Sequence, residues 1–124
     1  MKLRIKGNTI RLRLTKSEVD YFGEHLRIEE QTQFGTTSFY YALHAEDIGQ
    51  MRATFEQNRI MVSVPMKQAL EWVGTDAVGC DSEMDIGGGR KLFLLVEKDF
   101  KCLDETVEDQ SDNYENPLAS SHKK

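Results

Sequence analysis

KLRIKGNTIRLRLTKSEVDYFG, residues 2–23, decides the fold, because its pattern returns as RATFEQNRIMVSVPMKQALEWV, residues 52–73. Asn8 falls on Asn58, Ile10 on Ile60, Leu12 on Val62, Leu14 on Val64, Val19 on Ala69 and Phe22 on Trp72. The apolar spacing agrees better than the identities do, as expected of two copies of one unit. In the first copy Leu3 and Ile5 alternate with Lys2, Arg4 and Lys6, Gly7-Asn8 is a turn, and Ile10, Leu12 and Leu14 alternate with Arg11 and Arg13. Period two predicts a hairpin with one apolar and one basic face. Thr15 and Glu18 have capping-box spacing, so a short helix follows, with Val19 and Phe22 on one face and Gly23 as its stop. In the second copy Gln57-Asn58 is the turn and Pro65 opens a helix. Met66, Ala69, Leu70 and Val73 form its buried stripe.

Working outward, residues 26–34 and the run from Phe39 to His44 predict a second hairpin around the turn Gly35-Thr36-Thr37. Residues 77–86 and 91–99 predict its counterpart around Gly87-Gly88-Gly89. Phe39, Tyr41 and Leu43 lie on one side of a strand whose other side carries Tyr40, Ala42 and His44, so that strand is central, as is the one holding Leu92–Val96. Each half is then strand, strand, helix, strand, strand. The expected fold is an α+β antiparallel sheet of about eight strands, barrel-like, built from two ββαββ repeats with pseudo-twofold symmetry. Residues 1–103 form a single domain with halves of about 1–48 and 49–103. An acidic tail, 104–124, is expected to be partly docked to about residue 117 and disordered beyond. Leu3, Ile5, Ile10, Leu12, Leu14, Phe55, Ile60, Val62, Val64, Leu70, Trp72, Leu94 and Val96 should be mostly buried.

The chain has 124 residues and a formal net charge of −5, which argues against general nucleic-acid binding. Residues 1–6 lack a long apolar core, and no run reaches the roughly twenty apolar residues of a spanning helix. A soluble, cytoplasmic protein without membrane contact is expected. Two cysteines, Cys80 and Cys102, are too few for a disulfide framework and are expected to be free thiols.

The charge is unevenly placed. Residues 1–16 carry only bases and residues 104–115 only acids. Lys2, Arg4, Lys6, Arg11 and Arg13 should share one face, and like charges so close require neutralisation. Two readings follow: a binding site for an anion or a protein partner, or a solvated face neutralised by Glu29, Glu30, Glu97, Asp99 or the tail. A homodimer is compatible with either. Asp81, Glu83 and Asp85 alternate along a strand and could face a hard cation, but no calcium-loop pattern accompanies them, and a solvated strand face is the simpler reading. The triple glycine is not a phosphate loop, since it opens no helix and no Lys-Ser/Thr follows. His25, His44 and His122 lack metal-ligand spacing. No nucleophile, base and orienting group stand out together. No catalytic residue, metal or cofactor is therefore expected, and binding is favoured over enzymatic activity.

Met1-Lys-Leu-Arg-Ile-Lys-Gly-Asn followed by Ile10-Arg-Leu-Arg-Leu-Thr resembles the opening of a family of small uncharacterised bacterial proteins. The resemblance continues in Val96-Glu-Lys-Asp-Phe-Lys-Cys-Leu and in Glu108-Asp, Asp112 and Asn116-Pro. It implies a domain of unknown function without assigned catalytic residues, and a tail that belongs to the domain through Pro117. A weaker likeness is to the triphosphate tunnel enzymes, antiparallel strands closed around alternating Lys, Arg and Glu. That family opens with alternating glutamates where this chain has only bases, which removes its metal site. A metal-dependent phosphoester or triphosphate hydrolase is thus the alternative function.

Overall fold

A computed structural model describes residues 1–100. The tail contacts expected of Glu108, Asp109 and Asp112, together with Cys102 and His122, lie outside the described residues.

The hairpins of residues 2–14 and 52–65 form from the alternation. Strands β1 (Lys2–Lys6) and β2 (Thr9–Leu14) turn at Gly7-Asn8, and β5 (Arg52–Glu56) and β6 (Arg59–Pro65) turn at Gln57-Asn58. Gly7 and Asn58 both take left-handed φ of about 60°, a conformation that Gly and Asn reach at low steric cost. Thr15 caps helix α1 (Lys16–His25). The Glu18 N–H donates to Thr15 Oγ1 at 3.4 Å, and the Thr15 N–H donates to Glu18 Oε1 at 2.8 Å.

Gly23 does not stop this helix. The chain continues to His25 and turns at Leu26, whose φ is 61° and whose N–H donates to the Phe22 carbonyl at 2.7 Å. Gly23 serves packing instead. A Cβ there would stand 2.7 Å from Val73 Cγ1 of helix α2 (Met66–Gly74), so the helices approach where a larger residue would collide. Beside that point the Phe22 and Trp72 rings meet edge to face, 6.1 Å apart. Pro65 is the residue before α2 rather than its first member.

The remaining strands are β3 (Arg27–Phe34), β4 (Thr37–Glu46), β7 (Gly79–Gly87) and β8 (Arg90–Lys98). The eight strands do not make one antiparallel sheet, and no barrel closes. They make two four-stranded mixed sheets, A in the order β1-β2-β8-β7 and B in the order β3-β4-β6-β5. The reason lies in the helices. Helix α1 carries the chain out of sheet A into sheet B, and α2 carries it back, so a hairpin of one half pairs with a hairpin of the other. Paired central strands both run away from their turns, and the pairs β2–β8 and β4–β6 are therefore parallel, with Ile10 beside Leu94 and Ala42 beside Met61.

One core unites both sheets and both helices. Leu12, Leu14, Leu94 and Val96 of sheet A join Leu43, Val62 and Val64 of sheet B, with Phe22 and Trp72 between. Three residues expected inside are exposed: Ile5 at 55%, Phe55 at 67% and Leu70 at 50%. Ile5 and Phe55 lie on edge strands next to their turns, where little packs over them. Leu70 gives way to Trp72, which takes the inner side of α2 and donates Nε1–H to the Val78 carbonyl at 3.0 Å. Among the described residues no helix is long and apolar enough to cross a membrane.

Candidate functional site

The register of sheet A brings all five predicted basic residues onto one face. Lys2 stands opposite Arg13, and Arg4 opposite Arg11, across the β1–β2 pair, and Lys6 lies opposite Thr9. Directly opposed like charges destabilise a sheet. The inner face of the same strands is the core, so these side chains have only the outer face to occupy.

Their neutralisation is partial. Arg11 Nε lies 3.5 Å and Arg13 Nε 3.6 Å from the same Glu97 oxygen, and Lys2 Nζ lies 3.3 Å from Asp99. One carboxylate thus serves two guanidinium groups, both through Nε, and the Arg11 Nε is buried without a hydrogen bond. Among the described residues no acid forms an ion pair with Arg4 or Lys6. Glu97 and Asp99 act as expected. Glu29 instead holds Arg27 and Arg59 on sheet B, and Glu30 holds the Met1 ammonium at 2.8 Å.

That ammonium also pairs with Glu18. Burial works to lower its pKa, but the hydrogen bonds and charges of Glu18 and Glu30 outweigh burial and raise it. For Glu18 burial works upward, and the ammonium and the Thr15 cap hold the carboxyl below its ordinary value.

The outer face continues beyond the basic hairpin. Next to β2, strand β8 presents Lys91, Phe93, Leu95 and Glu97, and next to β8 the edge strand β7 presents Asp81, Glu83 and Asp85, with Lys91 opposite Asp85. The sequence marked the three acids as one strand face. It did not place them on the same sheet as the bases, because that depends on the parallel β2–β8 pairing between distant segments. It read β8 as a central strand with Leu94 and Val96 buried, as the order β1-β2-β8-β7 has it, but did not mark its other face as open, where Phe93 is 42% exposed. The alternation of Phe93 and Leu95 with buried Leu94 and Val96 is the signal that could have shown an open face.

The other candidates carry less. Among the described residues no three His, Cys, Asp or Glu side chains converge to hold a metal ion. Cys80 faces the core, and burial, with Asp81 and Glu71 adding to it, pushes its thiol up to about 11. It is protonated at neutral pH and is no nucleophile. His25 Nδ1 lies 3.0 Å from the Tyr21 carbonyl at the end of α1.

The fold and face define a small α+β protein of two mixed sheets with a charge-divided outer surface. The chain belongs to a family of unknown function, DUF7009, whose model matches residues 1–118. No curated protein and no solved structure matches it.

Proposed function

We propose that this is a binding protein whose site is the basic outer face of β1 and β2, and that the ligand is an acidic protein surface. The observation that carries this is the arrangement of Lys2, Arg4, Lys6, Arg11 and Arg13 on one open face with Arg4 and Lys6 unpaired among the described residues. The face holds a shallow cavity lined by Arg4, Lys6, Thr9 and Arg11 that can take a carboxylate side chain, and five bases spread over two strands offer more charge than one small anion neutralises, which favours an extended acidic partner. Bidentate contact with carboxylates is open to the terminal nitrogens of Arg4.

An oligoglutamate peptide is a direct probe. Titration followed by NMR should give saturable shifts centred on Arg4, Lys6 and Arg11 at low salt, lost in Arg4→Gln with Arg11→Gln. A flat titration would remove the reading. The alternative, hydrolysis of tripolyphosphate with a divalent metal, would replace it if turnover survived repurification and vanished with Arg11→Gln or Arg13→Gln.

We also read the two ββαββ halves as pseudo-twofold duplicates. Exchanging each element of sheet A for its counterpart in the other half turns β1-β2-β8-β7 into β5-β6-β4-β3, the order of sheet B. The equivalent residues Phe22 and Trp72 touch each other, as residues beside a twofold axis do. A chain repeating residues 49–98 twice should then fold into the same pair of sheets, and an unfolded product would reduce the likeness to pattern alone.

A further inference from the structure

We infer that the partner of sheet A is a second copy of this chain, docked face to face about a twofold axis parallel to the strands. The inference rests on the binding role of the basic face and names its occupant.

The argument is the order of charges across the sheet. Strand pairing sets the outer side chains in rows. One row runs Arg4, Arg11, Leu95, Asp81, and the next runs Lys6, Thr9, Phe93, Glu83. Each row is basic at the β1 edge, apolar on β8 and acidic at the β7 edge. Two such faces brought together about an axis along the strands keep every row at its own height and reverse its direction. Asp81 then meets the partner copy's Arg4, and Glu83 meets the partner copy's Lys6. Phe93 and Leu95 lie near the centre, where apolar contact excludes water. An axis across the strands would instead set base on base, so the charges select one geometry.

The residues matched in this way are the ones left over. Arg4, Lys6, Asp81 and Glu83 form no ion pair among the described residues, while Arg11, Arg13 and Lys2 already have Glu97 and Asp99. An unrelated acidic surface, or the chain's own acidic residues 104–115, would satisfy the bases and leave Asp81 and Glu83 facing like charge. A second copy satisfies both sets at once.

Four strands at about 4.8 Å spacing make a small patch, on the order of 1,000 Å2 buried in total, at the low end for specific association. The dimer should be weak and sensitive to salt.

Sedimentation of the full chain across a wide concentration range tests this. Low salt should reveal a monomer–dimer equilibrium, weakened about tenfold or more at high salt. Arg4→Glu with Lys6→Glu should abolish the dimer, as should Asp81→Lys with Glu83→Lys. Mixing these two variants should restore association between them, since their swapped charges are complementary. If a double variant fails to fold, Lys6→Glu and Glu83→Lys form the same complementary pair.

A chain that stays monomeric, variants that dimerise like the parent, or a mixture that does not associate would each overturn the inference. So would a monomer that dimerises only when Glu108→Gln, Asp109→Asn and Asp112→Asn neutralise the tail, which would assign the basic face to the tail. Oligoglutamate shifts at Arg4 and Lys6 on a chain that remains monomeric would leave the binding role standing and remove only the second copy.

Discussion

On the outer face of sheet B, Glu29 sits between Arg27 at 3.2 Å and Arg59 at 2.5 Å, and Glu46 gathers Ser63, His44 and Arg52. On the outer face of sheet A five bases stand on the first hairpin, and the acids Asp81, Glu83, Asp85 and Glu97 stand on the other with one base, Lys91, with Phe93 and Leu95 between. Both faces come from the same arrangement of strands, so architecture does not explain the difference. Interspersed charges satisfy one another within the molecule and leave little to offer a partner. Segregated charges keep self-repulsion in the monomer and hold their attraction for another surface. Where bases and acids lie in a sheet therefore says more about association than how many there are.

The largest effect should separate the two faces of one strand. Leu94→Ala removes a fully buried side chain and should cost about 2–5 kcal/mol in denaturant unfolding, whereas Leu95→Ala on the outer face should cost less than about 1. Equal losses would mean that the outer face of sheet A is as closed as its inner face.

A second pair compares the acids. The Ser63 hydroxyl, itself buried, donates to Glu46 at 2.6 Å. That bond, with Arg52 and His44 nearby, outweighs desolvation and holds the Glu46 carboxyl below its ordinary range. Glu46→Ala should destabilise by about 1–3 kcal/mol, because Ser63 loses its acceptor, whereas Glu83→Ala should stay within about 0.5 kcal/mol. The contribution of Glu46 is present above the unfolded carboxyl value of 4.5 and lost as pH falls through the lower folded value. Loss of the Glu46→Ala difference at acid pH is the check.

A third measurement addresses the contact that joins the start of β1 to α1 and β3. The Met1 ammonium is raised and Glu18 lowered, so their pairing contributes fully between about pH 4.5 and 8. It fades as pH falls through the folded Glu18 value or rises through the folded ammonium value. Acetylating Met1 should lower stability by on the order of 1 kcal/mol inside that window and by less outside it. A loss independent of pH would mean that steric disturbance, not charge, is at work.

The smallest effect concerns salt. In monomer at low salt, Arg4→Gln with Lys6→Gln should stabilise by a few tenths of a kcal/mol by relieving repulsion, and salt should erase the gain. Arg27→Gln on sheet B should move stability the other way.

Much of this was legible in the chain. Period-two runs placed the strands of the first and third hairpins, a continuous apolar run placed β8, the Thr15–Glu18 spacing gave the capping box, and the alternation of Lys2 through Arg13 gave the basic face. What escaped were properties set by partners distant in sequence. The 15–26 segment says where α1 starts, but not that α1 leaves its own sheet, so neighbouring hairpins looked like neighbours in space. Gly23 carries a stop signal locally and a packing role only once Val73 arrives. Asp81 and Arg4 fell on a common face only through Leu95 beside Arg11.

The parallel pairings also give the molecule an order of assembly. Sheet B is drawn from one continuous stretch, with Ala42 paired to Met61 across 19 residues, while sheet A joins Ile10 to Leu94 across 84. Closing the longer loop costs about 1.3 kcal/mol more chain entropy. During synthesis the first hairpin must wait, unpaired, until the last strand has emerged, while sheet B can already zip together. Pulse-labelled amides in residues 27–65 should therefore become protected before those of β2 and β8, and simultaneous protection would break that sequence. The surface left bare during the wait is the β2 edge, a nascent strand whose one face carries alternating positive charge, the residues that natural sheets use to keep open edges from aggregating.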